Sequence, residues 1–315
     1  VPFVLHATIT RSLLQAFEEP KAVFRSMLYI NLINIPLNLA LATDMSFNVG
    51  GVKYGGLGLG VVGLGLSTSV LACIRAVYLK QQFKRHMAAS TRAMDRADLM
   101  RLLRVGLPIG LHWLSEMGVF SVVGLMAGHL GVHQAAAHQI AMTLSSLSFT
   151  LCMGLSVAGT VRVGLAVGEK DPALARREGN RSLILGLILM GCSAVCLFTF
   201  SDQLGQVFSN DPEVLALSAA LIQIAATFQI VDGVQAVMAG NLRGLGATRW
   251  AFVCALIGFW CVGFPTAHSL SAHIGTEGLW WGLVVGLSFS AVLQAIGFYI
   301  NLKPKRFARL TTLLD

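Results

Sequence analysis

Long apolar stretches that recur along the chain constrain its fold more than any other feature. A helix needs about 20 mostly apolar residues to cross the hydrocarbon core of a membrane, and stretches of that length follow one another here. Only 12% of the residues are charged, whereas a soluble domain carries about 25%. Because backbone exposed to lipid must satisfy its own hydrogen bonds, each stretch must be a helix. We predict an all-α, polytopic membrane helix bundle.

The apolar pattern predicts about eight full spans and one partial one. The full spans lie at about 22–43, 56–79, 105–128, 132–160, 182–201, 214–241, 251–271 and 279–302. The chain begins with Val1, and residues 1–17 are typical of the end of a helix. We therefore expect the chain to be a fragment of a longer protein, truncated at its N-terminus.

The lysines and arginines predict the orientation. All 23 of them except Lys53 and Arg75 fall in alternate connections or in the tail, so nearly all lie on one side of the membrane. The positive-inside rule makes that side the cytoplasm. The formal net charge of +8 then mainly reflects the topology, and a small part of it is expected to interact with lipid head groups. It does not indicate nucleic-acid binding. We expect a multi-pass protein of the inner (cytoplasmic) membrane with a cytoplasmic C-terminus.

Two pairs of segments resemble each other in the same order. The segment that begins at Arg11 resembles the one that begins at Arg243, and residues 56–71 resemble residues 278–293. Such repeats are typical of transporter folds built from two related halves. The predicted organisation is the remainder of an N-terminal lobe at 1–85, a cytoplasmic inter-lobe linker at 86–104, a six-helix C-terminal lobe at 105–302 and a cytoplasmic tail at 303–315.

Two acidic residues, Glu116 and Asp232, fall inside predicted spans. A carboxylate in hydrocarbon is costly and marks an ion or proton pathway more often than simple packing. Phe228 lies one helical turn before Asp232, and an aromatic ring beside a carboxylate suits a cation. The sequence therefore predicts a cation site at these three residues.

Other polar and aromatic residues share faces with the two acids. Gln235 lies on the face of Asp232, while Trp113 and Phe120 lie on the stripe of Glu116. We predict that these three line a substrate cleft, although ordinary core or lipid contact explains the aromatic rings equally well.

The chain shows no pattern typical of an enzyme or of a metal centre. The six cysteines lie in apolar stretches, and we find no nucleophile and base in a catalytic arrangement. The residues 58–63 spell a dinucleotide fingerprint, but no strand–helix unit surrounds them.

The stretch 106–168 resembles the seventh and eighth helices of the multidrug and toxic compound extrusion (MATE) family. The residues that carry this resemblance are GLPIGLHWLSEMGVF, AAAHQIAMTLSS and TVRVGLAVG. Residues 228–249 (FQIVDGVQAVMAGNLRGLGATR) resemble that family's tenth helix and its following turn, and NIPLN at 34–38 resembles its fifth. The match is closest to the bacterial norfloxacin-efflux branch.

The resemblance implies a fold and a function. It implies twelve helices in two six-helix lobes around a cleft, and exchange of Na⁺ or H⁺ for cationic, lipophilic drugs. It places a C-lobe cation site at Glu116, Asp232 and Phe228, with Na⁺ as the only metal. An N-lobe cation site would use three polar residues, Asn34, Asn38 and Thr68. Neither a cofactor nor a partner beyond the drug and membrane lipid is implied, and the full-length protein would be a monomer.

Two alternatives to drug efflux remain open at this point. A lipid or oligosaccharide flippase of related fold would be expected to line its cleft with arginines, and the spans carry none near mid-depth. A membrane scaffold that transports nothing would need no paired acids inside its spans. The choice between Na⁺ and H⁺ as the coupling ion also stays open.

Overall fold

The structure is a computed structural model that describes residues 2–16, 20–43, 46–49, 52–55, 57–86 and 95–314. Residues 87–94, which form much of the predicted linker, lie outside the described residues. The chain divides into two compact units, Val1–Ala93 and Met94–Asp315.

The N-terminal unit combines helices with one short hairpin. Its elements are α1 Pro2–Ala16, α2 Pro20–Ala42, β1 Ser46–Val49, β2 Val52–Gly55 and α3 Gly60–His86. A small apolar cluster that includes Leu14, Val23 and Leu79 packs α1 and α2 against α3. The strands β1 and β2 pair antiparallel. Sequence analysis did not predict them, because four residues are too few to show an alternating pattern.

The C-terminal unit is helical throughout its described residues. Its elements are α4 Arg96–Leu130, α5 Val132–Gly168, α6 Pro172–Thr199, α7 Ser201–Gln206, α8 Pro212–Gly244, α9 Thr248–Leu256, a π-helical segment Ile257–Gly263, α10 Phe264–Asn301 and α11 Pro304–Leu314. The predicted tail thus carries a helix, α11, and α4 begins inside the segment predicted as a linker.

Aspartates fix where three of these helices begin. Asp95 forms a capping box with Asp98, so α4 starts at Arg96 rather than at the first apolar residues. Asp171 and Asp211 cap α6 and α8 by accepting bonds from backbone N–H groups of the first turn, and each is followed by a proline at the first helical position. These caps lie in the polar connections between the apolar stretches.

The helix α10 reverses direction within its length. Gly275 has φ +61°, a left-handed conformation that favours glycine. Beyond it the chain runs back along itself and packs so closely that a Cβ on Gly282 would overlap the Ala267 backbone, at 2.3 Å. The continuous helical segment 248–301 therefore contains two of the predicted spans.

Each predicted span overlaps a helix, although the one at 56–79 becomes helical only at Gly60. By length and composition, six helices of the described residues could cross a membrane, and the last of them contains the reversal at Gly275. The span predicted at 22–43 falls on α2, which is not among the six, because three asparagines and two basic residues lower its mean hydropathy. The all-α, polytopic fold class is confirmed, with the β1–β2 hairpin as an addition.

Close packing between α5 and α8 determines which face of α8 is buried. A Cβ on Gly240 would lie 2.5 Å from the carbonyl oxygen of Ser156, so only glycine allows the two helices to come this close. The Ser156 hydroxyl donates to the Ala236 carbonyl at 2.6 Å, and the Thr160 hydroxyl donates to the Gly240 carbonyl at 2.9 Å. The α8 helix is consequently the most buried of the unit's long helices.

Candidate cation site

Two carboxylates from different helices line one cavity in the C-terminal unit. Glu116 belongs to α4 and Asp232 to α8, and each is 3% exposed. The cavity has a volume of about 150 Å³. Its other walls are mostly apolar and include Met142 and Phe149 of α5. The structure therefore brings together the two acids that sequence analysis selected.

Asp232 lies on the buried face of α8 without a polar partner. Within the described residues, no hydrogen bond or ion pair to its carboxylate is found, although it lines the cavity. A buried carboxylate normally has such partners, because leaving it unpaired costs several kcal/mol. Asp232 is therefore expected either to bind a cation as a carboxylate or to take up a proton and become neutral.

Phe228 lines the same cavity as part of a row of aromatic rings. Its ring makes edge-to-face contacts with Phe120, at a centroid distance of 6.0 Å, and with Trp280, at 5.7 Å. Trp280 in turn donates from Nε1 to Nδ1 of His138 at 3.2 Å. These contacts hold the Phe228 ring beside Asp232, and Phe120 lines the same cavity.

Glu116 has a histidine neighbour on its own helix. Nε2 of His112 lies 3.4 Å from Oε2 of Glu116, one turn away along α4. The other ring nitrogen of His112 donates to the Ala251 carbonyl of α9 at 3.3 Å. The backbone at Ser115 is tied to the following segment as well, because Trp260 donates to its carbonyl at 3.1 Å. Glu116 is therefore positioned by the α9 and π-helical region.

Trp113 and Gln235 lie near Glu116, but they do not line the cavity that contains Phe120. They line a second, much smaller cavity together with Glu116 and Arg243. The guanidinium carbon of Arg243 lies 6.0 Å from the Trp113 ring centroid. The apolar pattern places Arg243 in a connection between spans, yet it is in the last turn of α8 and half-buried. The structure thus separates the predicted cleft residues into two groups around Glu116.

Serines of α5 supply the polar part of the cavity wall that sequence analysis missed. Ser145 and Ser146 both line the cavity. The Ser146 hydroxyl donates to the Met142 carbonyl of its own helix at 2.7 Å, whereas the buried Ser145 hydroxyl has no hydrogen-bond partner among the described residues. Three hydroxyl-bearing residues in four positions (143, 145 and 146) were the available signal.

The predicted N-lobe residues lie in the N-terminal unit, where two of them are joined. The amide of Asn38 donates to Oδ1 of Asn34 at 2.8 Å, across the turn that contains Pro36. The buried Ser67 hydroxyl donates to Oδ1 of Asn38. Thr68 is exposed and donates to its own helix instead. The polar cluster is therefore Asn34, Asn38 and Ser67, the residue next to the predicted Thr68.

The chemistry of the cavity suits a hard cation or a proton. Carboxylate and hydroxyl oxygens are ligands that alkali and alkaline-earth ions prefer, whereas transition metals favour nitrogen and sulfur. No group of three or more His, Cys, Asp or Glu side chains among the described residues could hold a metal ion. Two carboxylates that share a small cavity repel each other unless a cation or proton lies between them.

Comparison with known proteins places this arrangement in a family. The fold and the apolar helices define a polytopic helical membrane protein. The chain belongs to the MatE family, which it matches over residues 108–268, just over half of its length. That range contains both carboxylates of the cavity.

Curated relatives resemble the chain over most of its length. A protein named multidrug resistance protein MdtK, from Edwardsiella ictaluri, is 32% identical over 288 residues, which cover 87% of this chain and 61% of that protein. A protein named multidrug resistance protein NorM, from Burkholderia vietnamiensis, is 33% identical over 311 residues, which cover 94% and 66%. The chain therefore spans just under two thirds of the length of these relatives.

Solved structures show the same fold. The eukaryotic MATE transporter AtDTX14 superposes with a TM-score of 0.81 at 21% identity, over 95% of this chain and 66% of that one. A MATE structure in a bent conformation gives a TM-score of 0.83 at 16% identity, over 98% and 67%. The resemblance to MATE proteins that the sequence motifs predicted is confirmed.

Proposed function

We propose that this chain is part of a cation-coupled antiporter that expels cationic, lipophilic drugs across the cytoplasmic membrane. The observation that carries the proposal is the cavity in which Glu116 and Asp232, from separate helices, share one small apolar space. The names of the relatives, which are multidrug resistance proteins, support drug efflux. We assign residues 1–85 to the N-terminal lobe, 86–104 to the linker, 105–302 to the C-terminal lobe and 303–315 to the tail.

Cation binding at the two carboxylates would supply the energy of transport. A bound ion shifts a conformational equilibrium only when its affinity differs between the two conformations. Glu116 and Asp232 belong to different helices, so any displacement of α4 from α8 changes the distance between the two ligands. The coupling ion in this proposal is Na⁺ or H⁺, and the transporter uses neither a cofactor nor an enzymatic step.

The membrane orientation in this proposal follows from the basic residues. The C-terminus is cytoplasmic, and so are the connections between α3 and α4 and between α5 and α6. The small polar cluster of Asn34, Asn38 and Ser67 is a second candidate site for the coupling ion, in the N-terminal lobe. The full-length transporter acts as a monomer.

Charge removal at the two acids tests the function. In the full-length protein, we expect Asp232→Asn and Glu116→Gln each to reduce ethidium efflux to the level of cells that lack the transporter. Each substitution keeps the shape of the side chain and removes the charge that binds a cation. The measurement is ethidium accumulation in drug-sensitive cells, with the amount of each variant in the membrane determined in parallel.

Asp202→Asn is the matched control, because Asp202 is an exposed acid outside the cavity. It makes the same chemical change and should leave efflux unchanged. Efflux at the wild-type rate in both cavity variants, at equal expression, would refute the assignment of these carboxylates.

A further inference from the structure

A third cavity lies on the basic side of the C-terminal unit, where α6 begins and α10 ends. It is a surface crevice of about 490 Å³, lined by Pro172, Ala173, Arg176, Tyr299, Leu302 and Lys303. Neither Glu116 nor Asp232 lines it. The crevice therefore has no part in the cation site described above.

The tyrosine in this crevice is held in a fixed position. Its hydroxyl donates to Oδ1 of Asn180 at 2.8 Å, and its ring contacts the fully buried Phe298 edge-to-face at 5.4 Å. The guanidinium carbon of Arg176 lies 5.7 Å from the centroid of the Tyr299 ring, within the range of a cation–π contact. The ring thus keeps the exposed Arg176 side chain at the crevice.

The two cations of the crevice carry uncompensated charge. The neighbouring Arg177 and Arg181 both pair with Glu178, at 3.9 and 2.7 Å. Arg176 and Lys303, by contrast, form no ion pair within the part of the chain that the structure describes. Asp171, five residues before Arg176, uses its carboxylate to cap α6. An anion bound between Arg176 and Lys303 would meet two positive charges and no competing carboxylate.

Exposed apolar side chains continue from the crevice along both helices. On α10, Val292 and Ile296 lie on the same face as Tyr299 and are 58% and 47% exposed. On α6, Ile184 and Leu187 lie on the same helix face as Asn180 and are 56% and 37% exposed. A soluble anion would not contact these apolar surfaces, whereas the acyl chains of a lipid would cover them.

The helix that follows the crevice is also typical of a membrane interface. In α11 the ring of Phe307 is buried against the apolar core of the unit, while Lys305 and Arg306 are exposed. A short helix with one buried apolar face and a basic face lies naturally in the plane of the head groups.

We propose that this crevice binds an anionic glycerophospholipid. The phosphate of the head group lies between Arg176 and Lys303, and the acyl chains follow the apolar faces of α6 and α10. The ligand class is defined by its chemistry, a phosphate diester that carries two hydrocarbon chains. This site is independent of the proposed transport function, so either can fail without the other.

Lipid selectivity of the purified full-length protein tests the proposal. The protein is reconstituted in nanodiscs of phosphatidylcholine that contain a small fraction of fluorescent phosphatidylglycerol or of fluorescent phosphatidylcholine with the same chains. Energy transfer from the protein's tryptophans reports the bound lipid. We expect the wild type to prefer phosphatidylglycerol, and Arg176→Gln combined with Lys303→Gln to weaken that preference by about thirtyfold. This corresponds to about 1 kcal/mol for each cation near a membrane surface.

Arg177→Gln combined with Arg101→Gln is the matched control, since it removes the same charge from exposed positions that neither line the crevice nor belong to α11. It should change the preference by less than about twofold, and the charge-conserving pair Arg176→Lys and Lys303→Arg should largely retain it. Equal losses in the crevice and control pairs would overturn the proposal, because the effect would then be general surface charge. Complete displacement of the lipid by millimolar inorganic phosphate or glycerophosphate would overturn it as well, since the site would then bind a soluble anion.

Discussion

Phe228 offers the sharpest separation between cation recognition and packing. Its ring is 3% exposed, lines the cavity of Asp232, and touches the rings of Phe120 and Trp280. Phe228→Leu keeps apolar bulk and removes the aromatic ring. We therefore expect it to affect two properties, the stability of the fold and the apparent affinity for the coupling cation. The two effects have separate magnitudes and are measured separately.

The packing effect follows from the two edge-to-face contacts. Each such contact contributes about 0.5–1.5 kcal/mol beyond its buried area, so Phe228→Leu should lower the free energy of unfolding by roughly 1–3 kcal/mol. The cation effect follows from the face of the ring. A cation over an aromatic ring gains about 0.5–2 kcal/mol, which is a two- to thirtyfold change in apparent affinity.

The assay measures both quantities on the full-length protein. Efflux is recorded against the concentration of the coupling cation, and the thermal midpoint of the purified variant is recorded in detergent. Phe259→Leu is the control, because Phe259 is 1% exposed in the same apolar core but does not line the cavity. We expect both variants to melt earlier and only Phe228→Leu to need a higher cation concentration. An unchanged cation dependence in Phe228→Leu would assign this ring to packing alone.

Two further predictions concern the cavity wall and the orientation. Ser145→Ala should raise the cation concentration for half-maximal efflux by about tenfold, the effect of one lost bond to a charged group, whereas Ser146→Ala should have no effect because its hydroxyl already bonds to its own helix. Equal effects of the two would count against Ser145 as a ligand. In a cysteine-free protein, a cysteine at Ser209 should react with an impermeant reagent added to whole cells and one at Ala173 should not. The reverse pattern would contradict the proposed orientation.

The two acids and their aromatic neighbour could be predicted because an acid inside a span has few reasons to be there. Glu116 and Asp232 stand out against apolar surroundings, and helical periodicity places Phe228 beside Asp232. The structure adds that these two acids, which are far apart along the chain, line the same cavity. Periodicity within each helix carries no information about which helices are neighbours.

Other features depended on differences that the sequence does not display. Ser67 and Thr68 are adjacent hydroxyl residues, and a rotation of about 100° per residue decides which of them faces Asn38. The apolar stretch ends at residue 241, so the prediction places Arg243 in a loop. The helix α8 nevertheless continues to Gly244. The side chains that α5 directs into the cavity were equally hidden, since polar residues occur on several of its faces.

The packing of the C-terminal unit indicates which helices a coupling ion would bridge. Asp232 is fixed to α5, because the close approach at Gly240 and the hydroxyl bonds from Ser156 and Thr160 leave α8 little freedom to slide. Glu116 is fixed to a different set of elements, through His112 to the α9 backbone and through the bond from Trp260 to the α4 backbone. In the proposed transporter, the two carboxylates thus belong to two groups of helices, α5 with α8 and α4 with α9. A cation that contacts both carboxylates binds most tightly at one separation of these groups, and this dependence is the difference in affinity between conformations that coupling requires.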